Sequence, residues 1–440
     1  MDRLLQETKE KARPANRTAL PKDQLLLHRD IWGHIHSLMP LRDAARAACV
    51  SRAFRFSWAC YPNLTFSEET LGLDGQVHEN AETARAFTTK VDHILENHSG
   101  TGIKTLELLA APNYNAKDSC YLDKWLQKAI TPVLEELVLY LSPVNNTYEF
   151  PCVLLSHGNA ASIRCLCLSN CTFAPTVSFG CSRSLAVLNL FGVRITGDEL
   201  GSLLSSSLTL ERLQLRHCDE IRCLMVPCLL LRLNYLEVFL CKKLRVMESR
   251  APNLTNFTLQ SYSQVQLSHL ASSQMKSVCM GSSGPGVIGY IRTKLASSVR
   301  NLQSLVIYSP KEVWQLLMEH VSVSTDPSEP REMPGHKHDK LKNVSIHGFS
   351  STKSLIELTC HIVQIATSLE SLVLDTREGL ALPDCSVNNI GKCLSMPRKI
   401  ILEARRALVA IQTYVKPKVP STVQFHILEP CSQCHVVDDH

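Results

Sequence analysis

Near the C-terminus, two cysteines and a histidine have a spacing that could hold a haem or a metal ion. Cys431, Cys434 and His435 form a Cys-x-x-Cys-His sequence, which is used for covalent haem attachment and resembles half of a zinc site. His426 or His440 could supply a fourth zinc ligand, but a second Cys-x-x-Cys pair is missing. We therefore predict no metal and no cofactor, and interpret this segment as a reduced polar tail.

Nothing else in the sequence indicates catalysis. Among 18 cysteines and 17 histidines a Cys/His pair can arise by chance, and none of them lies in the surroundings typical of a known nucleophile family. The sequence contains no Walker-type phosphate-binding loop and no His-Glu-x-x-His zinc motif. We therefore predict a protein that acts by binding rather than by catalysis.

One leucine-rich pattern is repeated in the middle of the chain. Three segments, which begin at Ile163, Leu210 and Leu233, carry apolar residues at offsets 0, 3 and 5 and a cysteine at offset 8. This is the strand-and-turn pattern of a leucine-rich repeat, whose units bury their apolar residues only by stacking on neighbouring units. The cysteines fall where each repeat leaves its strand, which is typical of the cysteine-bearing kind of repeat.

Looser copies of the pattern extend in both directions. The second apolar position recurs at intervals of 22, 25, 23, 21 and 21 residues from Leu166 to Val278, which lies within the usual period. The interval lengthens to 39 residues from Leu305 to Val344, which predicts a surface loop over 322–340. A single copy could be any buried strand or helix, but ten or more copies in one phase predict an α/β solenoid of horseshoe form.

Residues at offsets 2, 4 and 6 are expected to face outward on the concave sheet, because alternate residues of a strand point to opposite faces. Two consecutive repeats supply our candidates for partner binding, which are Arg212, Gln214, Arg216, Tyr235, Glu237 and Phe239. Arginine with tyrosine and phenylalanine is typical of protein-binding hot spots, although an ordinary solvated sheet can have the same composition. We predict that Arg212 and Arg216 contact an acidic or phosphorylated partner.

Composition and charge agree with a leucine-rich stack. The chain has 440 residues, too many for one ordinary core, but a solenoid grows by adding units. Apolar residues make up 45% of it and aromatic residues only 6%. The net charge of +5 is mild, and no dense Lys/Arg run alternates with aromatic residues, so we predict no nucleic-acid binding.

The N-terminus predicts where the protein is located. Residues 1–22 are rich in charged side chains and lack the apolar core of a secretory signal, and no apolar run of about 18 residues occurs further along the chain. We therefore expect a soluble protein of the cytoplasm or nucleus, without a membrane partner, in which the cysteines stay reduced. Those in the repeats are expected to act as small apolar fillers, namely Cys165, Cys167, Cys171, Cys218 and Cys241.

Short amphipathic helices are predicted before the repeats. Ile31, Ile35 and Leu38 lie at helical spacing after Asp30, a suitable N-cap, and Pro40 ends that helix. A second run from Leu41 contains four alanines that permit close packing, and it continues into Val50, Phe54 and Trp58. We expect three short helices that bury their apolar faces against each other and a partner.

This segment resembles an F-box, the helical module that docks on the Skp adaptor of cullin-RING ubiquitin ligases. The resemblance rests on Leu20-Pro21, Ile31-x-x-x-Ile35, Leu38-x-Pro40-Leu41-Arg42-Asp43-Ala44-Ala45 and Val50-Ser51-Arg52. It extends along most of the chain to the F-box/leucine-rich-repeat proteins of grasses, through segments such as residues 34–54, 62–66, 347–349 and 419–423. Two differences are an apparent insertion over 22–29 and Phe54 in a position where many F-boxes have tryptophan.

The resemblance implies a substrate-recognition subunit of an SCF-type ubiquitin ligase, which binds a Skp adaptor and, through it, cullin and RING subunits. The adaptor-binding residues it implies are Leu20, Pro21, Ile31, Ile35, Leu38, Pro40, Leu41 and Val50, some of which must instead form the core of the module. The repeats then bind a protein for ubiquitination, and other subunits perform the transfer chemistry.

Two alternatives remain open at this point. The chain could be a repeat scaffold or inhibitor outside any ligase, in which a degenerate F-box only caps the solenoid. It could also be a small-molecule receptor, although no basic cluster for an inositol phosphate is evident. The predicted domains are a tail (1–19), the F-box (20–66), a linker or cap (67–99), the repeats (100–380) and a C-terminal cap and tail (381–440).

Overall fold

The computed structural model describes most of the chain, including about three quarters of the predicted repeat region. The described residues are 31–73, 80–99, 102–109, 119–143, 148–156, 158–175, 183–262, 264–270, 272–282, 299–309, 338–377 and 396–431. Several predictions fall outside them, namely those for the tail over 1–19, Leu20, Pro21, the insertion over 22–29, Cys434, His435 and most of the loop over 322–340.

Short helices precede the sheet. They are α1 (residues 31–37), α2 (Leu41–Val50) and α3 (Arg52–Trp58). Helix α2 begins directly after Pro40, and it buries Leu41, Ala44 and Ala48, which lie on one face at helical spacing. Ser51 has extended backbone angles and therefore separates α2 from α3.

Parallel strands form the body of the molecule. The strands are β1 (Asn63–Phe66), β2 (Thr105–Leu109), β3 (Glu136–Tyr140), β4 (Cys165–Ser169), β5 (Val187–Phe191), β6 (Arg212–Arg216), β7 (Cys223–Val226), β8 (Tyr235–Phe239), β9 (Val246–Ser249), β10 (Asn256–Ser261), β11 (Gln266–Leu270), β12 (Ser277–Ser282), β13 (Ser304–Tyr308), β14 (Asn343–His347), β15 (Ser371–Asp375) and β16 (Gln424–Leu428). In the described part of the chain, β7, β9 and β11 make a small second sheet and the others make one sheet of 13 strands. This arrangement confirms the predicted α/β solenoid.

Helices lie between some of these strands. They are α4 (Asn80–Asn97), α5 (Ser119–Ala129), α6 (Gly197–Ser206), α7 (Lys353–Ile365) and α8 (Arg398–Ala410), with 3-10 turns at Cys152–Leu155 and Lys416–Lys418 and a π turn at Ile411–Val415. Helix α6 starts with a capping box between Thr196 and Glu199. Among the described helices, none has the length and apolarity needed to cross a bilayer.

The apolar repeat positions form one continuous core. Leu210, Leu213 and Leu215 are fully buried, and the equivalent residues of neighbouring repeats pack on them. The turn after each of several strands has a residue in the left-handed region, where Gly192 and Gly348 avoid the cost that a Cβ brings. The offset-8 cysteines Cys171, Cys218 and Cys241 are buried beside these turns, as predicted.

The sheet is longer than the predicted repeat region. Strand β1 lies inside the segment assigned to the F-box, and β16 lies within the segment assigned to the C-terminal cap. Strand β1 pairs with β2, and helix α4 lies between them in the chain. The strands of the large sheet run from Asn63 to Leu428, so the sheet extends beyond both ends of the segment predicted for the repeats. The domain boundaries at 66, 99 and 380 stay predictions.

Candidate protein-binding surfaces

One face of the large sheet carries the side chains that alternate with the core residues. We call it the open face and define it by the first, third and fifth residues of each strand. In β6, Arg212 and Arg216 are exposed and Gln214 is half-buried, whereas the two leucines between them are buried. The predicted outward direction of offsets 2, 4 and 6 is therefore correct in this repeat.

Strands β6 and β8 bring the six predicted binding residues together. Their register aligns Arg212 with Tyr235, Gln214 with Glu237, and Arg216 with Phe239. Side chains that are opposite each other in adjacent strands lie close enough to interact. The six residues therefore form one cluster, which we call the Glu237 cluster.

Glu237 lies at the centre of this cluster. Its carboxylate accepts hydrogen bonds from Arg216 Nε (2.6 Å), Tyr235 OH (2.7 Å) and Gln214 Nε2 (2.8 Å). The Glu237 side chain is only 5% exposed. Glu237 is thus not available as a direct contact for a partner, contrary to the prediction, and instead holds three neighbours in place.

The hydrogen bonds keep Glu237 ionised. Burial acts to raise the pKa of Glu237, but the bonds from Arg216, Tyr235 and Gln214 outweigh it and leave the pKa below the ordinary value. Burial and the bond to Glu237 raise the pKa of Tyr235 to about 12, so its hydroxyl remains a donor. The cluster therefore keeps its charges and its hydrogen-bond directions at neutral pH.

Both arginines lie over aromatic rings of the next strand. Arg212 Cζ is 4.6 Å from the centroid of the Tyr235 ring, and Arg216 Cζ is 5.8 Å from that of Phe239. Such cation–π contacts orient a guanidinium group without using up its N–H donors. Arg216 remains 47% exposed although its Nε is bound to Glu237. Both guanidinium groups can therefore still bind an anion.

A row of aromatic side chains begins within the Glu237 cluster, with which it shares Phe239. Its rings belong to Tyr140, Phe191, His217 and Phe239, with centroids 6.1, 5.4 and 5.7 Å apart in that order. Sequence reasoning did not select His217, because it occupies the turn after β6 rather than a strand position. The turn holds His217 in the left-handed region with φ 53°, which is unusual for a residue other than glycine.

A second polar cluster occupies the open face in the last repeats. Asp375 is buried and accepts hydrogen bonds from Arg377 Nε (2.9 Å) and from the Arg377 backbone N–H (3.0 Å), and it lies 3.3 Å from His347 Nδ1. The His347 ring stacks on Tyr308 at 4.7 Å. Burial favours a higher pKa for Asp375, but its partners His347 and Arg377 lower the pKa overall. Tyr308, His347 and Asp375 occupy offset 6 of consecutive repeats, so the sequence pattern could have predicted that they lie side by side.

The open face also carries two thiols. Cys165 Sγ and Cys167 Sγ are 3.6 Å apart, and Asn189 Nδ2 is 3.2 Å from Cys167 Sγ. Both cysteines are half-buried on the open face, so they are not core fillers, which corrects the prediction for these two. All cysteines in the described ranges are free thiols.

The described residues contain no group of three or more potential metal ligands. Cys431 is the only member of the Cys-x-x-Cys-His sequence that the described ranges include. The prediction for this segment therefore remains untested.

The N-terminal helices present a separate apolar surface. Helix α1 and the turn after it point their apolar residues outward: Ile35 is 40% exposed and Leu38 72% exposed, whereas the polar His36 is buried and donates from Nε2 to the Ala44 carbonyl (2.8 Å). Val50, in α2, is 88% exposed. We call the exposed residues of these helices the apolar N-terminal patch, which comprises Ile31, Trp32, Ile35, Leu38, Val50 and Phe56.

The predicted adaptor-binding residues divide between this patch and the core. Ile31, Ile35, Leu38, Pro40 and Val50 are exposed. Leu41 is instead buried in the core that α2 shares with the first strand, so it cannot be a direct contact. Trp32 and Phe56 are also exposed in this patch, although the sequence-based prediction did not include them.

Phe54 occupies the position where many F-boxes have tryptophan. Its ring lies 5.3 Å from Trp32 and 4.9 Å from His36. Trp58 packs beside Tyr61 and His36. The aromatic residues around His36 therefore fill the inside of the helical module.

A sequence profile of a known domain family agrees with the repeat architecture. Residues 94–317 and 312–432 match the sequence profile described as the At1g61320/AtMIF1 LRR domain. The F-box/FBD/LRR-repeat protein At1g13570 of Arabidopsis thaliana is 25% identical over 195 residues, which are 44% of this chain and 44% of that protein. The chain thus matches less than half the length of this curated relative. A solved internalin from Listeria monocytogenes is similar over 78% of this chain and 88% of its own, with 10% identity and a TM-score of 0.33.

Proposed function

We propose that this chain, which belongs to the At1g61320/AtMIF1 LRR domain family, is the substrate-recognition subunit of an SCF-type E3 ubiquitin ligase. The apolar N-terminal patch binds a Skp adaptor, and through it the cullin and RING subunits. The open face binds the protein that is ubiquitinated. The chain contributes proximity, and other subunits perform the transfer chemistry.

The outward direction of the apolar residues of α1 carries this proposal. An isolated helical cap would bury Ile31, Ile35 and Leu38 and expose His36, because apolar side chains gain free energy when they leave water. Helix α1 has the opposite arrangement. Clustered apolar residues on a surface are typical of protein-binding sites. The F-box-like sequence of residues 31–52 supports a Skp adaptor as the partner.

The same proposal places the protein in the cytoplasm or nucleus, where ubiquitin ligases of this class act and where thiols stay reduced. Unpaired, exposed thiols such as those of Cys49 and Cys223 are compatible with such a compartment. Fluorescence microscopy of the tagged full chain tests this location.

A non-ligase scaffold is a second candidate, and one observation favours it. Leu41 and Ala44 of α2 share a continuous core with Leu64 and Phe66 of β1, and Asn63 Nδ2 donates to the Ser37 carbonyl (3.1 Å). The helical module therefore also closes the end of the solenoid, as terminal units of repeat proteins must. Adaptor binding separates the two candidates, because only the ligase subunit requires it.

Co-purification of the full chain with a Skp adaptor tests the proposal. Ile35→Asp places a charge in the apolar N-terminal patch and is expected to abolish the complex. Val409→Asp is the matched control, because Val409 is 67% exposed on α8, outside the patch. If the wild-type chain binds no adaptor, the scaffold candidate replaces the ligase proposal.

A further inference from the structure

We propose that the Glu237 cluster selects a partner segment by an unphosphorylated Asp or Glu side chain, with an adjacent apolar side chain that lies on the aromatic row. This inference rests on the proposed function, since it specifies what the open face recognises. It narrows the range of partners from anions in general to carboxylates.

Local charge favours a carboxylate. Arg212 and Arg216 supply two positive charges, and Glu237 supplies one negative charge. The residues opposite this cluster in the flanking strands β5 and β10 are uncharged. They are Val187, Asn189, Phe191, Asn256, Thr258 and Gln260. The open face therefore has one uncompensated positive charge here. A carboxylate neutralises it, whereas a phosphorylated residue brings a charge of about −1.5 to −2 at neutral pH.

Glu237 makes the second negative charge of a phosphate unfavourable. Its carboxylate is bound to Arg216, so an anion that approaches Arg216 also approaches Glu237. Three donors hold Glu237 ionised, and it cannot turn away without losing them. Repulsion between like charges grows in a partly buried site, where water screens poorly.

The arginines are oriented for a planar acceptor. Arg216 uses Nε for Glu237, which leaves the two Nη groups for a ligand, and Arg212 Cζ lies 4.6 Å from the centroid of the Tyr235 ring. A guanidinium group and a carboxylate can form two parallel hydrogen bonds, which adds directional specificity. Because aromatic contacts already restrict both arginines, binding costs less side-chain entropy than at a free arginine.

The aromatic row indicates which kind of side chain neighbours the acidic residue in the partner. Phe239 is adjacent to both the Arg216 guanidinium group and the His217 ring, and the Phe191 ring is also adjacent to His217. Apolar rings and a fixed positive charge are thus adjacent on one surface. An extended segment that places an acidic side chain on the arginines places a neighbouring side chain on these rings.

Synthetic peptides and the full-length chain test this inference. The probes are 12-residue peptides that differ only at the central residue (Glu, Asp, Gln, phosphoserine or phosphothreonine) and at its neighbour (Phe, Leu or Gly), with binding measured by fluorescence anisotropy. We expect Glu or Asp beside Phe or Leu to bind at least about tenfold more tightly than the Gln and phosphorylated versions, a factor typical of one charged pair.

Two substitutions and a control identify the site. Arg212→Gln is expected to weaken binding of the Glu–Phe peptide about tenfold. Lys243→Gln removes the same charge from the turn after β8, off the open face, and is expected to leave binding unchanged. Glu237→Gln keeps a residue of equal size and is expected to shift the preference towards the phosphopeptides. A merely structural role of Glu237 would weaken all peptides alike.

Three outcomes would overturn the inference: no probe binds, phosphopeptides bind more tightly to the wild-type chain, or Lys243→Gln weakens binding as much as Arg212→Gln. None of these outcomes bears on adaptor binding, which depends on the apolar N-terminal patch. Failure of this inference and failure of the proposed function are therefore distinguishable.

Discussion

Arg216 donates a 2.6 Å hydrogen bond from Nε to Glu237 on the neighbouring strand. This bond and the Phe239 ring, whose centroid is 5.8 Å from Arg216 Cζ, restrain the guanidinium group, and the Arg216 side chain stays 47% exposed. Arg216 is thus one half of a structural ion pair and also the residue that we propose to bind a carboxylate. The stability of the open face and its capacity to bind are therefore coupled.

Glu237→Gln is expected to lower the free energy of unfolding at pH 7 by about 1–2 kcal/mol, because a charge-assisted hydrogen bond is lost while Arg216 stays half-exposed to water. The pKa of Glu237 in the folded chain lies below its value of about 4.3 in the unfolded chain. The Glu237 carboxylate therefore stabilises the fold fully above about pH 4.3, and this stabilisation is lost as the pH falls through the folded-state pKa. Urea unfolding of the wild-type chain and of Glu237→Gln between pH 7 and pH 3 measures the difference in their free energies of unfolding. A wild-type-to-variant difference that grew on acidification would contradict the account.

Truncation of Leu41 is expected to destabilise the chain far more than truncation of Ile35. Leu41→Ala removes a buried side chain and should lower the free energy of unfolding by about 2–5 kcal/mol. Ile35→Ala removes an exposed one and should change it by less than about 0.5 kcal/mol, although it weakens adaptor binding. Chemical denaturation of both variants checks the pair, and equal destabilisation would mean that the helices pack differently.

Two glycines provide a matched test of the turns. Gly192 has φ +62°, and a Cβ there would lie 2.4 Å from Asn170 Oδ1, so Gly192→Ala is expected to destabilise the chain by about 1–3 kcal/mol. Gly201 lies in α6 with open space around it, so Gly201→Ala is expected to stabilise the chain by about 0.5–1 kcal/mol. Thermal unfolding of the two variants should shift in opposite directions. Shifts of the same sign would argue against the turn geometry.

Cysteine alkylation should separate buried from exposed thiols. Burial raises the pKa of Cys171 to about 12, so its thiol is expected to resist iodoacetamide at pH 8 in the folded chain. Cys49 is exposed and should react readily. Peptide mass spectrometry before and after denaturation measures both. Equal labelling of Cys171 and Cys49 in the folded chain would rule out the described core.

The sequence predicted the regular part of the solenoid because leucine marks the buried positions there. It did not reveal β1, where the same offsets are filled by Tyr61, Leu64 and Phe66, since aromatic residues replace two of the leucines. Strand β16 was also missed. It comes after β15 only at an interval of about 50 residues, and its buried-side residues Phe425 and Ile427 stay half-exposed at the edge of the sheet.

The positions of the candidate residues on β6 and β8 were predictable from the sequence, but their contacts with one another were not. Strand alternation identified Arg212 and Glu237 as outward-facing, yet it could not show that three donors would enclose the carboxylate of Glu237. That depends on which residues the register sets opposite each other in β6 and β8. The exposure of the apolar residues in the helical module was also not predictable, because amphipathic spacing identifies an apolar face but does not tell whether that face is buried or exposed.

Binding of a purified Skp adaptor to the full-length chain, measured by calorimetry with three variants, tests the central claim most directly. The account predicts that the wild-type chain, Val409→Asp and Arg212→Gln bind the adaptor equally, and that Ile35→Asp does not bind it. Loss of binding in Val409→Asp as well as in Ile35→Asp, or no binding by the wild-type chain, would contradict the proposal that the apolar N-terminal patch docks this protein on a ubiquitin ligase.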